Sequence, residues 1–124
     1  NMGIPKKLLE KGVKDMVRIS DGRMSGTGFG TVVLHVSPES AAGGPLNWVQ
    51  NGDYIALDVE NRTINWEVSE EELAARKLAQ PFEKPKTIRG YVGLFIDHVE
   101  QADQGADFDF LKGGSGSIVT RDSH

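Results

Sequence analysis

The stretch Ser20-Asp21-Gly22-Arg23-Met24-Ser25-Gly26-Thr27-Gly28-Phe29-Gly30 constrains this chain more than any other part of it. It lies between two runs, Met16–Ile19 and Thr31–Val36, whose β-branched and alternating side chains read as strands. A strand-to-strand connection with glycine at 22, 26, 28 and 30 is built for backbone angles and close approaches that a Cβ would obstruct. Ser25 and Thr27 sit at its tip, which makes it a candidate active-site loop.

The remaining chain reads as short alternating elements. Ile4–Lys11 predicts a small amphipathic helix with Pro5 at its first position, Leu8 and Leu9 on one side, and Gly12 as a left-handed cap. In Thr31–Val36 the residues Val32, Leu34 and Val36 share one face, expected to be core. Ser37-Pro38-Glu39-Ser40 has the cap, proline and carboxylate of a helix start, ended quickly by Gly43-Gly44-Pro45. Tyr54–Val59 and Thr63–Val68 predict a hairpin around Glu60-Asn61-Arg62, and Ser69-Glu70-Glu71-Glu72 a capping box opening a helix to about Ala79, which Pro81 stops. Tyr91–Ala102 predicts a second helix packing by Val92, Phe95, Ile96 and Val99. Asp107 and Asp109 alternate with Phe108 and Phe110 as in a docking strand, and the Gly/Ser-rich tail from Lys112 is expected to be loosely ordered.

A chain of 124 residues suffices for one domain and one core, so a single domain over 1–124 is expected. Its 18 acidic and 14 basic residues are spread along the chain with no basic stripe, which argues against a nucleic-acid partner. No apolar run is long enough to span a bilayer, so no membrane partner and a cytoplasmic location are expected. Without cysteine the chain offers no thiolate to a nucleophilic mechanism, a cluster or a zinc ion, and His35, His98 and His124 lack metal-ligand spacing.

The glycine loop is not a phosphate cradle, because a strand rather than a helix follows it and no lysine occurs between Lys14 and Lys77. Ser25 is either a base or nucleophile, given a partner that lowers its pKa, or a turn-stabilising hydroxyl. Arg23 either grips a substrate carboxylate, or steadies an alkoxide, or forms an ion pair. His35 reads as a structural histidine, Glu39 as a helix-start carboxylate and Asp97-His98 as solvated surface.

Taken together, Ser20-Asp21-Gly22-Arg23-Met24-Ser25-Gly26, His35-Val36-Ser37-Pro38-Glu39 with Gly43-Gly44-Pro45, Asn51-Gly52-Asp53, Arg89-Gly90-Tyr91 and the segment from His98-Val99 to Phe110-Leu111 closely resemble the C-terminal domain of the dihydroxy-acid and sugar-acid dehydratases. Met24-Ser25-Gly26-Thr27 and Ala106–Leu111 are more similar to the sugar-acid branch, the pentonate (arabinonate or xylonate) dehydratases, than to the branched-chain amino-acid enzyme. The resemblance implies an α/β fold of the swivelling β/β/α kind, with a strand-rich, barrel-like core flanked by helices. It implies a much longer enzyme, whose N-terminal domain is this chain's partner and holds an iron–sulfur cluster, of 2Fe–2S type, and Mg2+, leaving no metal ligand here. Ser25 matches the base that takes the C2 proton of an aldonic acid, ionised by those groups. Thr27 and Arg23 are then the expected substrate contacts. Homo-oligomers are implied, with Asp107–Leu111 a candidate interface, and the isolated chain is expected to be inactive. A dihydroxy-acid substrate of branched-chain biosynthesis, or a non-catalytic assembly module, are the alternatives.

Overall fold

A computed structural model describes residues 2–24, 28–86 and 89–113. They fall into two compact units, one drawn from 1–39 with 85–124 and the other from Ser40–Lys84.

In the first unit, α1 (Lys6–Leu9) is a single turn. Pro5 stands just before it and its carbonyl receives the amides of Leu8 and Leu9, while Gly12, at φ 80°, turns the chain away. Strand β1 (Arg18–Ile19) pairs in parallel with β2 (Val32–Val33), Arg18 opposite Val32 and Ile19 opposite Val33. Both strands are shorter than their sequence patterns. The second stops because His35 adopts φ 55°, a left-handed conformation that no strand continues through. Val32, Leu34 and Val36 are accordingly half-buried rather than enclosed, which corrects the expectation of a core face.

The next helix, α3 (Tyr91–His98), follows Gly90 at φ 92° and stops short of the predicted Ala102. Val99 is extended, bridges Phe108 antiparallel, and is followed by an amide–carbonyl bond from Glu100 to Asp107 (2.8 Å). Pairing with the returning chain thus outcompetes another helical turn. The expected docking strand is reduced to that bridge and a 3-10 turn at Asp109–Leu111. His98 Nδ1 lies 3.0 Å from Asp109, and the Phe108 and Phe110 rings stack at 5.3 Å.

The second unit follows its sequence more closely. Strands β3 (Ile55–Asp58) and β4 (Thr63–Trp66) form the antiparallel hairpin, Ile55 opposite Trp66 and Asp58 opposite Thr63. Helix α2 (Glu70–Ala79) starts at Ser69, whose hydroxyl accepts the Glu72 amide at 3.1 Å. Trp48 is 7% exposed, the one hydrophobic side chain so enclosed among the described residues. Its indole N–H donates to the Gln80 carbonyl (2.9 Å) and Lys77 Nζ lies over the ring. Arg76 holds Asp53 with two hydrogen bonds (2.5 and 2.9 Å). Arg76, helped by the Gln50 amide, lowers the Asp53 pKa to about 2. The helix expected at Ser37-Pro38, residues of the first unit, does not form. The Ser37–Pro38 peptide is cis, the Ser37 hydroxyl turns back toward the His35 carbonyl (3.5 Å) instead of capping, and the first helical turn is the 3-10 turn Ser40–Ala42.

The fold class is therefore mixed α/β, with two two-stranded sheets and no closed barrel among the described residues. The expected barrel-like core is corrected on this point: pairings of two and four residues, with the left-handed His35 just beyond the end of β2, offer too little ladder to close a sheet. No helix among the described residues is long and apolar enough to cross a membrane.

Candidate active-site loop

Parallel neighbours cannot be joined by a tight turn, and the connection from Ser20 to Thr31 is the crossover that this pairing demands. Its two ends are held side by side. The Arg18 amide donates to the Thr31 carbonyl (3.0 Å), Ser20 to Val33 (2.9 Å) and Val36 back to Ser20 (3.1 Å). The Ser20 hydroxyl also accepts the Gly22 amide at 2.9 Å, which tightens the first bend.

Two of the loop glycines have steric work to do. A Cβ on Gly28 would stand 2.9 Å from Val32 Cγ2, and one on Gly30, at φ 83°, 2.2 Å from Asp15 Oδ1. The Asp15 carboxylate accepts the Thr31 amide (3.1 Å) and hydroxyl (2.8 Å) and the Met16 amide (2.8 Å), and these donors, Thr31's amide foremost, hold its pKa below the ordinary carboxylate range.

Of the residues singled out from sequence, Ser25 and Thr27 lie outside the described residues. Arg23 is well defined. Its Nε is 3.1 Å from Glu39 Oε2, its Nη2 donates to the Glu100 carbonyl (2.6 Å), and its guanidinium lies over the Phe95 ring at 5.7 Å. The Arg23 and Glu39 side chains are only 22% and 17% exposed. Glu39 is thus an ion-pair partner, and its amide donates to the Gln101 side-chain oxygen Oε1 (2.8 Å). The structure ties the first limb of the loop to the segment after α3 through Arg23, and the last limb to the residues before β1 through Asp15 and Arg18. Sequence reasoning missed Asp15, Arg18, Glu100 and Gln101. The local signal was a pair of charged residues three positions apart, Asp15 just before β1 and Arg18 at its start.

Among the described residues neither cofactor implied by the resemblance finds a set of ligands. The chain contains no cysteine to ligate a cluster, and among the described residues no three His, Asp or Glu side chains gather as a cation site. In the second unit a hollow of about 400 Å³ lies beside Trp48, Gln50, Ala75 and Arg76, but the Arg76 guanidinium on its wall is already taken by Asp53 and Glu72.

Residues 1–106 match the family described as dihydroxy-acid/6-phosphogluconate dehydratase C-terminal. Among curated relatives, an L-arabinonate dehydratase of Rhizobium leguminosarum bv. trifolii is 60% identical over 126 residues, covering 100% of this chain and 21% of the relative. A 6-deoxy-6-sulfo-D-gluconate dehydratase of Pseudomonas putida is 52% identical over 114 residues, 92% of this chain and 20% of that protein. A dihydroxy-acid dehydratase of Caldicellulosiruptor bescii is 44% identical over 95 residues, 76% of this chain and 17% of that protein. The chain spans about a fifth of the length of these relatives. It belongs to the dihydroxy-acid/6-phosphogluconate dehydratase C-terminal family.

Proposed function

We propose that this chain is the base-bearing C-terminal domain, over residues 1–124, of a hydro-lyase that converts a sugar acid, an aldonate of pentonate type, to its 2-keto-3-deoxy acid. The observation that carries this reading is the fall in identity and coverage from the L-arabinonate dehydratase, through the sulfogluconate enzyme, to the dihydroxy-acid dehydratase. The swivelling β/β/α arrangement, homo-oligomeric assembly, cytoplasmic location, and an N-terminal partner domain holding an iron–sulfur cluster and Mg2+ all belong to the same proposal for the whole protein.

In this reading Ser25 accepts the C2 proton, the C3 hydroxyl leaves as water, and the resulting enol tautomerises to the ketone. A serine hydroxyl needs its pKa lowered to serve as a base, and that agent comes from the rest of the protein. Thr27 and the loop amides bind the substrate hydroxyls or carboxylate. Arg23 is the second candidate for that carboxylate, and its present partners give it a further part in holding the first limb of the loop.

The test uses the full-length protein with L-arabinonate, 6-deoxy-6-sulfo-D-gluconate and 2,3-dihydroxyisovalerate. Turnover of the pentonate at the highest kcat/KM is expected. Preference for the branched acid overturns the substrate class, and no turnover of any of the three overturns the enzyme reading in favour of an assembly module. Ser25→Ala is expected to lower kcat by at least about 10²–10⁴-fold, with exchange of the C2 proton into deuterated solvent lost in parallel. Exchange at the wild-type rate in that variant shows that Ser25 is not the base.

A further inference from the structure

The last limb of the glycine loop enters β2 through a polar knot that the proposed chemistry leaves without a task. Arg18, in β1, has a side chain only 9% exposed. Its guanidinium donates to three backbone carbonyls, those of Met2, Met16 (3.2 Å) and Phe29, and its Nη2 also reaches Asp15 Oδ1 at 3.3 Å. A planar fork of five donors can hold several separate carbonyls at once, which an ammonium group cannot do in the same geometry. Asp15 completes the knot by taking the amide and the hydroxyl of Thr31. Between Phe29 and Thr31, Gly30 passes so close that a Cβ would stand 2.2 Å from Asp15 Oδ1 and 2.9 Å from Arg18 Nη2. Three consecutive residues of the limb that follows Ser25 are therefore fixed: Phe29 through its carbonyl, Gly30 through contact and Thr31 through two hydrogen bonds.

The geometry points to Asp15 and Arg18 as positioning residues for the glycine loop, a clamp that sets where the Ser25 segment stands relative to a bound sugar acid. This rests on the reading of Ser25 as the base. The β1–β2 ladder is too short to do the task alone, since it pairs two residues with two. Asp15 also has a 43% exposed side chain, so its substitution perturbs the loop more than the packing around it. Neither residue touches substrate in this scheme. Their effect reaches the chemistry through the loop backbone, where displacement by a fraction of an ångström already spoils a near-attack geometry.

The test is made on the full-length protein with Asp15→Asn and Gly30→Ala. The first removes the carboxylate charge without changing shape, and the second drives a methyl group into the same knot from the loop side. Four quantities are read: kcat, KM, C2-proton exchange on L-arabinonate, and amide hydrogen exchange over residues 20–31. We expect kcat and C2 exchange to fall together by about 10²-fold with KM within about threefold of wild type, the pattern of a lost transition-state geometry. Loop amides should exchange about tenfold faster, as expected for a lost local constraint, with the midpoint of global thermal unfolding nearly unchanged. Asp15→Glu, which restores the charge, should recover part of kcat. Wild-type kcat and loop exchange in both variants overturn the clamp. So does faster loop exchange with unchanged kcat, a rise in KM alone, or a loss of activity that merely tracks loss of folded protein. A wild-type protein inactive on every acid overturns the functional reading instead, and loop amide exchange then still decides whether the clamp exists.

Discussion

Replacing Trp48 by alanine is the sharpest test of how the second unit is held together. Trp48 is 7% exposed, its N–H is bonded to the Gln80 carbonyl, its own carbonyl accepts from Arg76, and Lys77 covers the ring. Removing an enclosed indole costs about 3–5 kcal/mol, from lost transfer energy plus the cavity left behind. The Gln80 carbonyl contributes little to the penalty, because Gln80 is exposed and water replaces the lost donor. With a urea dependence of about 1–3 kcal/mol per molar, the unfolding midpoint should fall by about 2 M. Trp48→Phe keeps a ring and loses the N–H, so it should cost only about 1–2 kcal/mol. The assay is urea unfolding of the chain followed by far-UV circular dichroism, with Trp66, which sits on β4 under Arg76, as the local fluorophore. A Trp48→Ala midpoint within about 0.5 M of wild type, below 1.5 kcal/mol at that urea dependence, refutes the reasoning. The stability of α2 against its neighbours would then come from the polar contacts of Arg76 rather than from the indole.

Asp53, with its pKa lowered to about 2 by Arg76 and the Gln50 amide, contributes stability that is fully present above its unfolded value of about 3.9 and is lost as pH falls from there through about 2. Acid titration of Trp66 fluorescence should show that transition, and Asp53→Asn should remove it; an unchanged acid limb in the variant assigns the transition to other carboxylates. Ser69→Ala, which deletes the bond to the Glu72 amide, should cost about 1 kcal/mol and speed amide exchange in the first turn of α2; no change in either refutes the cap. The purified chain should contain no stoichiometric iron or sulfide, because it has no thiolate to hold a cluster, and one cluster per chain by iron and sulfide analysis would contradict this.

Where the determinants of structure were local, the sequence was readable. The hairpin β3–β4 and the start of α2 at Ser69 lie where alternation and a capping box place them, because each depends on residues a few positions apart. The misreadings share a different cause. Alternation in Thr31–Val36 resembles a six-residue strand, yet only Val32–Val33 pairs, since nothing in that pattern reveals the left-handed turn at His35. Helical spacing likewise continues past His98, but Val99 is taken into a bridge with Phe108, a competitor that a window over 91–102 does not contain. Ser37-Pro38-Glu39 carries each residue of a helix start and makes none, because Glu39 finds Arg23 and Gln101 instead.

The loop shows the same division at closer range. Its existence and its glycines are legible, because backbone freedom is a property of the residue itself. The tasks of its charged neighbours are not, because a charge is defined by what it meets. Arg23 meets Glu39 and the Glu100 carbonyl, 16 and 77 positions away. A substrate carboxylate approaching that guanidinium competes with a carboxylate already 3.1 Å from it, in a pair mostly withdrawn from water. Exchanging one carboxylate for another gains little unless Glu39 finds a new partner, and Glu39's amide is meanwhile tied to Gln101. The partners of Arg23 therefore favour its part in holding the first limb of the loop over a part in gripping the acid, as those of Asp15 and Arg18 hold the last limb.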